Sequence, residues 1–358
     1  MPIQGLVRLR KHQFARQQAF GSVVAATRAY PFKGVPGVEL TWTDLDIDTG
    51  SLDPTAAPYR GAPALSASLE APALAYNDVP LLLSGFFGGA VEPTGAPAEE
   101  QTWEYEPAST TIDVIDPFTY EFGDDVLTDW YQLGDGILEG FDLAGPEGLG
   151  PITASQTWKF GSVASTGSTD SPVTGNVPTA GLSVDTNPTL VYLKDMGIFI
   201  ADATAGLAAG QILDALHSFS LKFSGDIDEK RWGNGDQSFD VDAYARASRV
   251  IELECTFSKT SDTVGTTSES DAWMSDKAVD RYVQLAFEST EMAHDSTPYS
   301  WIITFPMRYY TRTEGEVGGN TAVVLTGRAW YDPTDLKGVF TSTVVNTLEV
   351  DDFGLAGS

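Results

Sequence analysis

The chain has 358 residues, 42% of them hydrophobic, and its 21 Lys and Arg face 50 Asp and Glu for a formal net charge of −29. That balance excludes a protein that grips nucleic acid phosphates or an anionic membrane surface through clustered cations, while the apolar share supports folded cores, with a prior of about two domains. No run of apolar residues is long enough to span a bilayer, and the single cysteine, Cys255, excludes an intrachain disulfide and argues against a thiolate metal site.

The chain opens on MPIQGLVRLRKHQF, which is basic but lacks the apolar core of a secretory signal. Arg8, Arg10, Lys11 and Arg16 fall within nine residues, whereas residues 61–158 hold 17 acids and no Lys or Arg. Arg8 and Arg10 alternate with Val7 and Leu9, as in an extended segment. Residues 1–30 are therefore expected to be a basic arm that docks on the acidic surface of another copy. A solvated tail is the plainer alternative.

A strand at VELTW precedes DLDIDTGSLD, where Asp44, Asp46, Asp48 and Asp53 invite a calcium reading. An EF-hand loop needs Gly sixth and Glu twelfth, but Gly50 is seventh and Thr55 is twelfth, so the acids read as the wet face of a strand. A strand near Leu65–Leu69 leads to NDVPLLLSGFFGG, a helix capped by Asn77 or Asp78, with Pro80 in its first turn and Gly88 and Gly89 as its stop. Strands follow at Trp103–Tyr105 and at FTYEF, where Phe118, Tyr120 and Phe122 share a face. GPEGLG (145–150) lacks the strand–helix setting of a dinucleotide loop. Residues 163–188 are rich in Ser, Thr, Gly and Pro and read as a linker.

Beyond the linker, Phe219, Leu221 and Phe223 alternate inward. Ile251, Leu253, Cys255 and Phe257 do the same, leaving Glu252 and Glu254 on the wet face. In SDKAVDRYVQLAFES, Ser275 is a candidate cap and Val279, Tyr282, Val283 and Ala286 form a stripe at helical spacing, so a second helix is expected. Trp301, Ile303, Phe305 and Met307 alternate again, with Pro306 marking an edge or a bulge. TAVVLTGRAWY closes the strands, and residues 351–358 form an acidic tail.

The order of DID (46–48 and 226–228), strand, helix and strand occurs twice. The expected fold is thus mainly β: two tandem antiparallel β-sandwich or barrel units, 31–162 and 189–350, each with one flanking helix. No catalytic or metal-binding constellation emerges. His12, His217 and His294 lack metal-ligand spacing, and G-x-S-x-G, GxxxxGK[ST] and H-E-x-x-H are absent. Cys255 sits on an apolar strand face and reads as an inert buried thiol, and Trp42, Trp158 and Trp301 read as core.

The opening LVRLRKHQFARQQAFGSVVAATRAYPFKGVPGVELTW resembles that of major tail tube proteins of long, flexible-tailed bacteriophages of Gram-positive hosts. APYRGAP, YNDVPLLLSGFFGG, DPFTYEFGDDVLTDW, GPEGLGPITASQTWKFGSVASTGSTD, SESDAWMSDKAVDRYV and PMRYYTRTEGEVGGNTAVVLTGRAWYDP are similar to the same family. The resemblance implies a non-enzymatic virion protein of the tail, assembled in the host cytoplasm and needing no cofactor. It implies a β-sandwich core whose inner sheets join side by side into a ring. Rings then stack into a hollow tube around a tape-measure protein, between tail terminator and distal tail proteins. Genomic DNA passes through without specific binding, and no membrane is entered.

The usual ring in that family has six single-domain subunits. Two tandem units in this longer chain would instead close a pseudo-sixfold ring from three chains, with six chains as the alternative. An acidic bore repels phosphate, which makes Asp46, Asp48, Asp226, Asp228, Glu252 and Glu254 the lumen candidates and Arg8, Arg10, Lys11 and Arg16 the inter-ring candidates. A glycan- or receptor-binding β-sandwich is the alternative function; it predicts exposed Trp and Tyr platforms.

Overall fold

The computed structural model describes residues 10–39, 42–45, 57–60, 64–87, 91–96, 99–106, 116–124, 130–148, 150–166, 179, 181–201, 203–212, 216–230, 243–246, 248–258, 281–331 and 340–349. The first half contributes β1 (Arg10–Arg16), β2 (Arg28–Tyr30), β3 (Lys33–Glu39), β4 (Trp42–Leu45), β5 (Ala57–Arg60) and β6 (Ala64–Ala71). Then come α1 (Val79–Phe87), β7 (Gln101–Tyr105), β8 (Phe118–Asp124), β9 (Trp130–Gly145), β10 (Thr153–Lys159) and β11 (Ser162–Thr166). The second half contributes β12 (Met196–Ala201), β13 (Gln211–Ile212), β14 (Leu216–Ser224), β15 (Ile227–Lys230), β16 (Ala243–Arg246) and β17 (Val250–Ser258). It ends with β18 (Arg281–His294), β19 (Thr297–Val317), β20 (Asn320–Ala329) and β21 (Thr341–Asn346). The protein is mainly β, and its strand pairings are antiparallel.

Alternation decides most of these elements. In β6 every second residue is buried, and Phe219, Leu221, Phe223, Ile251, Leu253, Cys255 and Phe257 all point into the core. Trp158 and Trp301 are fully buried, as expected, whereas the side chain of Trp42 lies outside the described residues. Pro306 is in neither an edge strand nor a bulge. It sits where one side of β19 passes from β21, last paired at Thr304, to β20, first paired at Met307, so the ladder tolerates a missing N–H there.

One layer holds eight strands in the order β3-β6-β10-β9-β14-β17-β20-β19. The long strands β9 and β19 belong to two layers each. Their C-terminal halves lie in the eight-stranded layer, while their N-terminal halves pair with β8 and β11, or with β18 and β21. In β9 the handover falls at Asp135, whose φ of +57° is left-handed and turns the strand between Gly134 and Gly136.

The pairing scheme occurs twice. β1–β2, β1–β8, β8–β9, β9–β11, β9–β10, β10–β6, β6–β3 and β4–β5 recur in order as β12–β13, β12–β18, β18–β19, β19–β21, β19–β20, β20–β17, β17–β14 and β15–β16. One irregularity recurs as well: a register shift passes over Glu139 in β9–β10 and over Tyr310 in β19–β20. The two sets join at β9–β14, and β7, a member of neither, pairs with β21.

The expected first helix is α1, and all nine of its residues are buried. Asp78 immediately precedes it, and Pro80 lies in its first turn, where no intrahelical N–H bond is lost. A Cβ on Gly85 would lie 2.8 Å from the Trp158 ring and 3.1 Å from Leu138, so this glycine lets the helix settle onto the sheet. Phe86 and Phe87 then pack on Phe223, which stacks on Phe141 at 4.3 Å across the β9–β14 junction.

The expected second helix is overturned over Arg281–Ser289, which lies in β18; Ser275 and Val279 fall outside the described residues. Val283, Leu285 and Phe287 are fully buried at period two, while Ala286, on the proposed helical stripe, is only half-buried. β12 and β19 hydrogen-bond this segment from both sides, which a helix could not satisfy. The alternation of Phe118, Tyr120 and Phe122 predicts that the other face of β8 is wet, but Thr119 and Glu121 are as buried as Phe118 and Tyr120. The chain at Val24, Ala26 and Thr179 covers them and donates backbone N–H groups to their oxygens. The stretch at 163–188 begins within β11, and 167–178 and 180 are outside the described residues.

Candidate functional site

The open face of the eight-stranded layer carries a row of polar side chains set by register. Lys33 opposes Glu70, Glu70 opposes Ser155, Ser155 opposes Asp142, and Asp142 opposes Lys222. Lys222 in turn opposes Glu252, which opposes Arg328, which opposes Arg308. These residues point away from the core because their neighbours along each strand, such as Phe141, Phe223, Leu253 and Met307, point into it.

Near the β9–β14 junction this face dips into a groove of about 630 Å³. Its charged lining consists of Lys33, Lys222, Glu70, Glu139, Asp142 and Asp226, four carboxylates against two ammonium groups. Partial desolvation raises the Asp142 carboxyl above its ordinary 3.8, and Lys222 pulls it back down. Lys159 holds Glu139 at 2.7 Å on the groove's flank. The groove has an acidic surplus, and along the charge ladder of this face the opposite-charge pairs Lys33–Glu70, Asp142–Lys222, Lys222–Glu252 and Glu252–Arg328 each contribute about 0.2–1 kcal/mol, while Arg328 and Arg308 set like charges opposite each other.

The sequence-derived acids distribute unevenly. Glu252, half-buried, stands between Lys222 and Arg328, so its charge is locally offset. Glu254 is exposed on the same face and accepts a hydrogen bond from Thr326 Oγ1 at 3.4 Å. Asp226 is exposed at the groove. Asp228 sits instead on the separate β15–β16 hairpin, ion-paired with Lys230. Asp46 and Asp48 lie outside the described residues. Glu70, Glu139 and Asp142 had not been singled out, although the inward Phe141 and Leu143 flank Asp142 in a period-two pattern that points it to water.

Of the basic candidates, Arg8 lies outside the described residues. Arg10 is exposed at the start of β1, its guanidinium 5.8 Å from the Phe122 ring centre, and Lys11 is half-buried beside it. Arg16 must be withdrawn from the docking set. It is 2% exposed, ion-paired with Asp116, and donates to the Val91 carbonyl at 3.4 Å. β1 is bonded to both β2 and β8, so this end of the arm is committed to the chain's own sheet.

Three buried polar groups on β1, β8 and the N-terminal half of β9 hold structure rather than a reactive centre. Glu121 accepts from Ala26 N at 3.1 Å, Thr179 N at 2.7 Å and Gln132 Nε2 at 3.1 Å. Asp135 accepts from Gly21 N at 2.7 Å and Ser162 Oγ at 2.9 Å. His12 Nδ1 lies 2.9 Å from the Tyr120 hydroxyl, and burial, followed by the Arg10 charge, lowers its pKa to about 4. Cys255 is buried, and that burial pushes its thiol well up, away from nucleophilic use.

Among the described residues, Glu99, Glu100 and His294 place ligand atoms within 4.8 Å of one another. His294 Nδ1 lies 3.1 Å from Glu100 Oε2, and Thr297 Oγ1 donates to Glu100 Oε1 at 3.4 Å, so the histidine and one carboxylate of this surface group already contact each other. Among the described residues, no helix is long and apolar enough to cross a membrane. No family model matches the chain, and no curated protein matches it significantly.

Proposed function

We propose that this chain is the repeating subunit of a phage-type tail tube, a virion component built from tandem tube-like units. The observation that carries the reading is the doubled pairing scheme, which places eight strands side by side in one layer with the two sets joined edge to edge at β9–β14. A layer made by repeating one unit extends naturally by further repetition, and closure removes exposed edges. The phrases similar to tail tube proteins supply the family.

In this reading three chains contribute 24 strands to one barrel, from eight in each chain. At a strand spacing of about 4.8 Å and a tilt of about 40°, the backbone-to-backbone diameter is roughly 45–50 Å, enough to pass a double helix. Six chains per ring remains the alternative count. The open face, with Glu70, Glu139, Asp142, Asp226, Glu252 and Glu254, would line the bore. Its interleaved Lys33, Lys222, Arg308 and Arg328 keep the carboxylates folded in place without building a continuous cationic track for phosphate. Tape-measure, terminator and distal tail proteins are the expected partners, and the tail of the virion the expected location. The glycan-binding alternative gains nothing from Trp103, Trp158 or Trp301, whose rings are fully buried.

The test is negative-stain electron microscopy of the purified chain at rising concentration and salt, because screening relieves repulsion between bodies of charge −29. Hollow rings or tubes are expected, with three chains around each ring. Compact particles without a bore, in every condition and with tape-measure protein added, would overturn the proposal.

A further inference from the structure

The internal junction β9–β14 dictates how the two outer edges of the eight-stranded layer meet. We infer that β3 of one copy pairs antiparallel with the C-terminal half of β19 of a second copy, in the register that β14 and β9 use within the chain. β19 is the counterpart of β9 and β3 the counterpart of β14, since each holds the same place in the doubled pairing scheme. Among the described residues, β3 has a strand partner only in β6, and β19 beyond Thr311 has one only in β20. The layer thus ends on one side in β3, the counterpart of β14, and on the other in β19, the counterpart of β9.

The register follows from two anchors. In β9–β10, Gly140 opposes Thr157 just past the skipped Glu139; in β19–β20, Thr311 opposes Thr326 just past the skipped Tyr310. Gly140 therefore corresponds to Thr311. On the other flank, Thr157 opposes Ser68 and Ser68 opposes Val35, while Thr326 opposes Glu254 and Glu254 opposes Ser220. Val35 therefore corresponds to Ser220. Within the chain Ser220 opposes Ala144 and Lys222 opposes Asp142, so between copies Val35 opposes Gly315 and Gly37 opposes Thr313. Val35 is a large apolar side chain 50% exposed on the edge strand, and Gly315 has open space around it, so the two positions fit without a clash.

The same register shows how the two junctions differ. Inside the chain, Phe141 and Leu143 face Phe223 and Leu221 in the core. Between copies, the matching positions are Arg312 and Glu314 opposite Val38 and Pro36. Each of these pairs sets a charged residue opposite an apolar one, so the intermolecular junction rests on main-chain bonds more than on side-chain packing. Charges and a proline on edge strands also limit promiscuous pairing, so assembly is reversible while each chain stays folded. The pairing is heterologous, giving a ring where the rotation closes and a filament where it does not. The register stands on the strand pairing alone; only ring closure rests on the tube reading.

Disulfide trapping tests it, because directly opposed strand positions lie within the Cα separation a disulfide accepts. Gly37→Cys and Thr313→Cys in one chain are expected to give, on mild oxidation, a ladder of covalent multimers. The pair Gly37→Cys with Gly315→Cys, out of register, should give at least about tenfold less. Mixing the two single variants should stop at the covalent dimer, and neither single variant should dimerise alone. Cys255 is buried and does not compete. Circular dichroism checks that each variant is folded. Equal trapping in both registers, efficient homodimers of a single variant, or no covalent product at the highest soluble concentration would overturn the junction. Trapping without tubes would leave the junction standing and remove the tube; rings without trapping would do the reverse.

Discussion

Asp78 and His12 titrate over the same pH range with opposite signs. Burial raises the Asp78 carboxyl from 3.8 to about 6, against the pull of Arg28 at 3.4 Å. The folded state then binds a proton that the unfolded state has lost, and this contribution to stability falls as pH rises from about 4 through 6. Burial lowers the His12 imidazole from 6.5 to about 4. There the unfolded state binds the extra proton, so stability rises as pH rises from about 4 to 6.5. At about 1.4 kcal/mol per pK unit, each contribution is about 3 kcal/mol, and in the native protein the two nearly cancel. Asp78→Asn keeps a side-chain oxygen before α1 and removes one arm of the balance. The variant should match the native protein at about pH 4 and exceed it by about 3 kcal/mol at pH 8, a figure that already includes the Arg28 attraction. Urea unfolding followed by tryptophan fluorescence, at intervals between about pH 4 and 8, reads the difference directly. A difference independent of pH, or an Asp78→Asn protein less stable than the native one at pH 8, would refute the reasoning. His12→Gln should show the opposite trend, losing its advantage as pH rises.

Arg16→Met should destabilise by about 3–5 kcal/mol, since Asp116 is left beside a buried apolar chain; denaturant midpoints check it, and a neutral result would return Arg16 to the docking set. Glu121→Leu strips acceptors from the Ala26 and Thr179 N–H groups and should cost several kcal/mol, with faster hydrogen exchange at those two amides as its local signature. Leu221→Ala, in the β9–β14 junction, should cost about 2–5 kcal/mol, whereas Glu254→Gln on the open face should stay within about 0.5 kcal/mol. Comparable losses for these last two would mean that the open face is itself packed against something.

Local chemistry already determines much of this protein in its sequence. A two-residue period needs no distant partner to be read, so the strands through Phe219, Ile251 and Trp301, and the wet-face positions of Glu252 and Glu254, were legible directly. The first helix was equally plain, because Asp78, Pro80 and the following apolar run are local signals. The segment at Tyr282–Phe287 fitted two periods at once. Only the flanking strands β12 and β19, remote in sequence, made it a strand. Burial of Arg16, Glu121 and Asp135 was likewise unreadable, since each depends on a loop or strand far along the chain arriving with a matching donor or acceptor. The same holds for the charge ladder of the open face. Its members come from β3, β6, β10, β9, β14, β17, β20 and β19, and become neighbours only when the eight strands align. Side-chain direction is a property of the strand, but neighbourhood is a property of the sheet, and the sheet exists only in the folded chain.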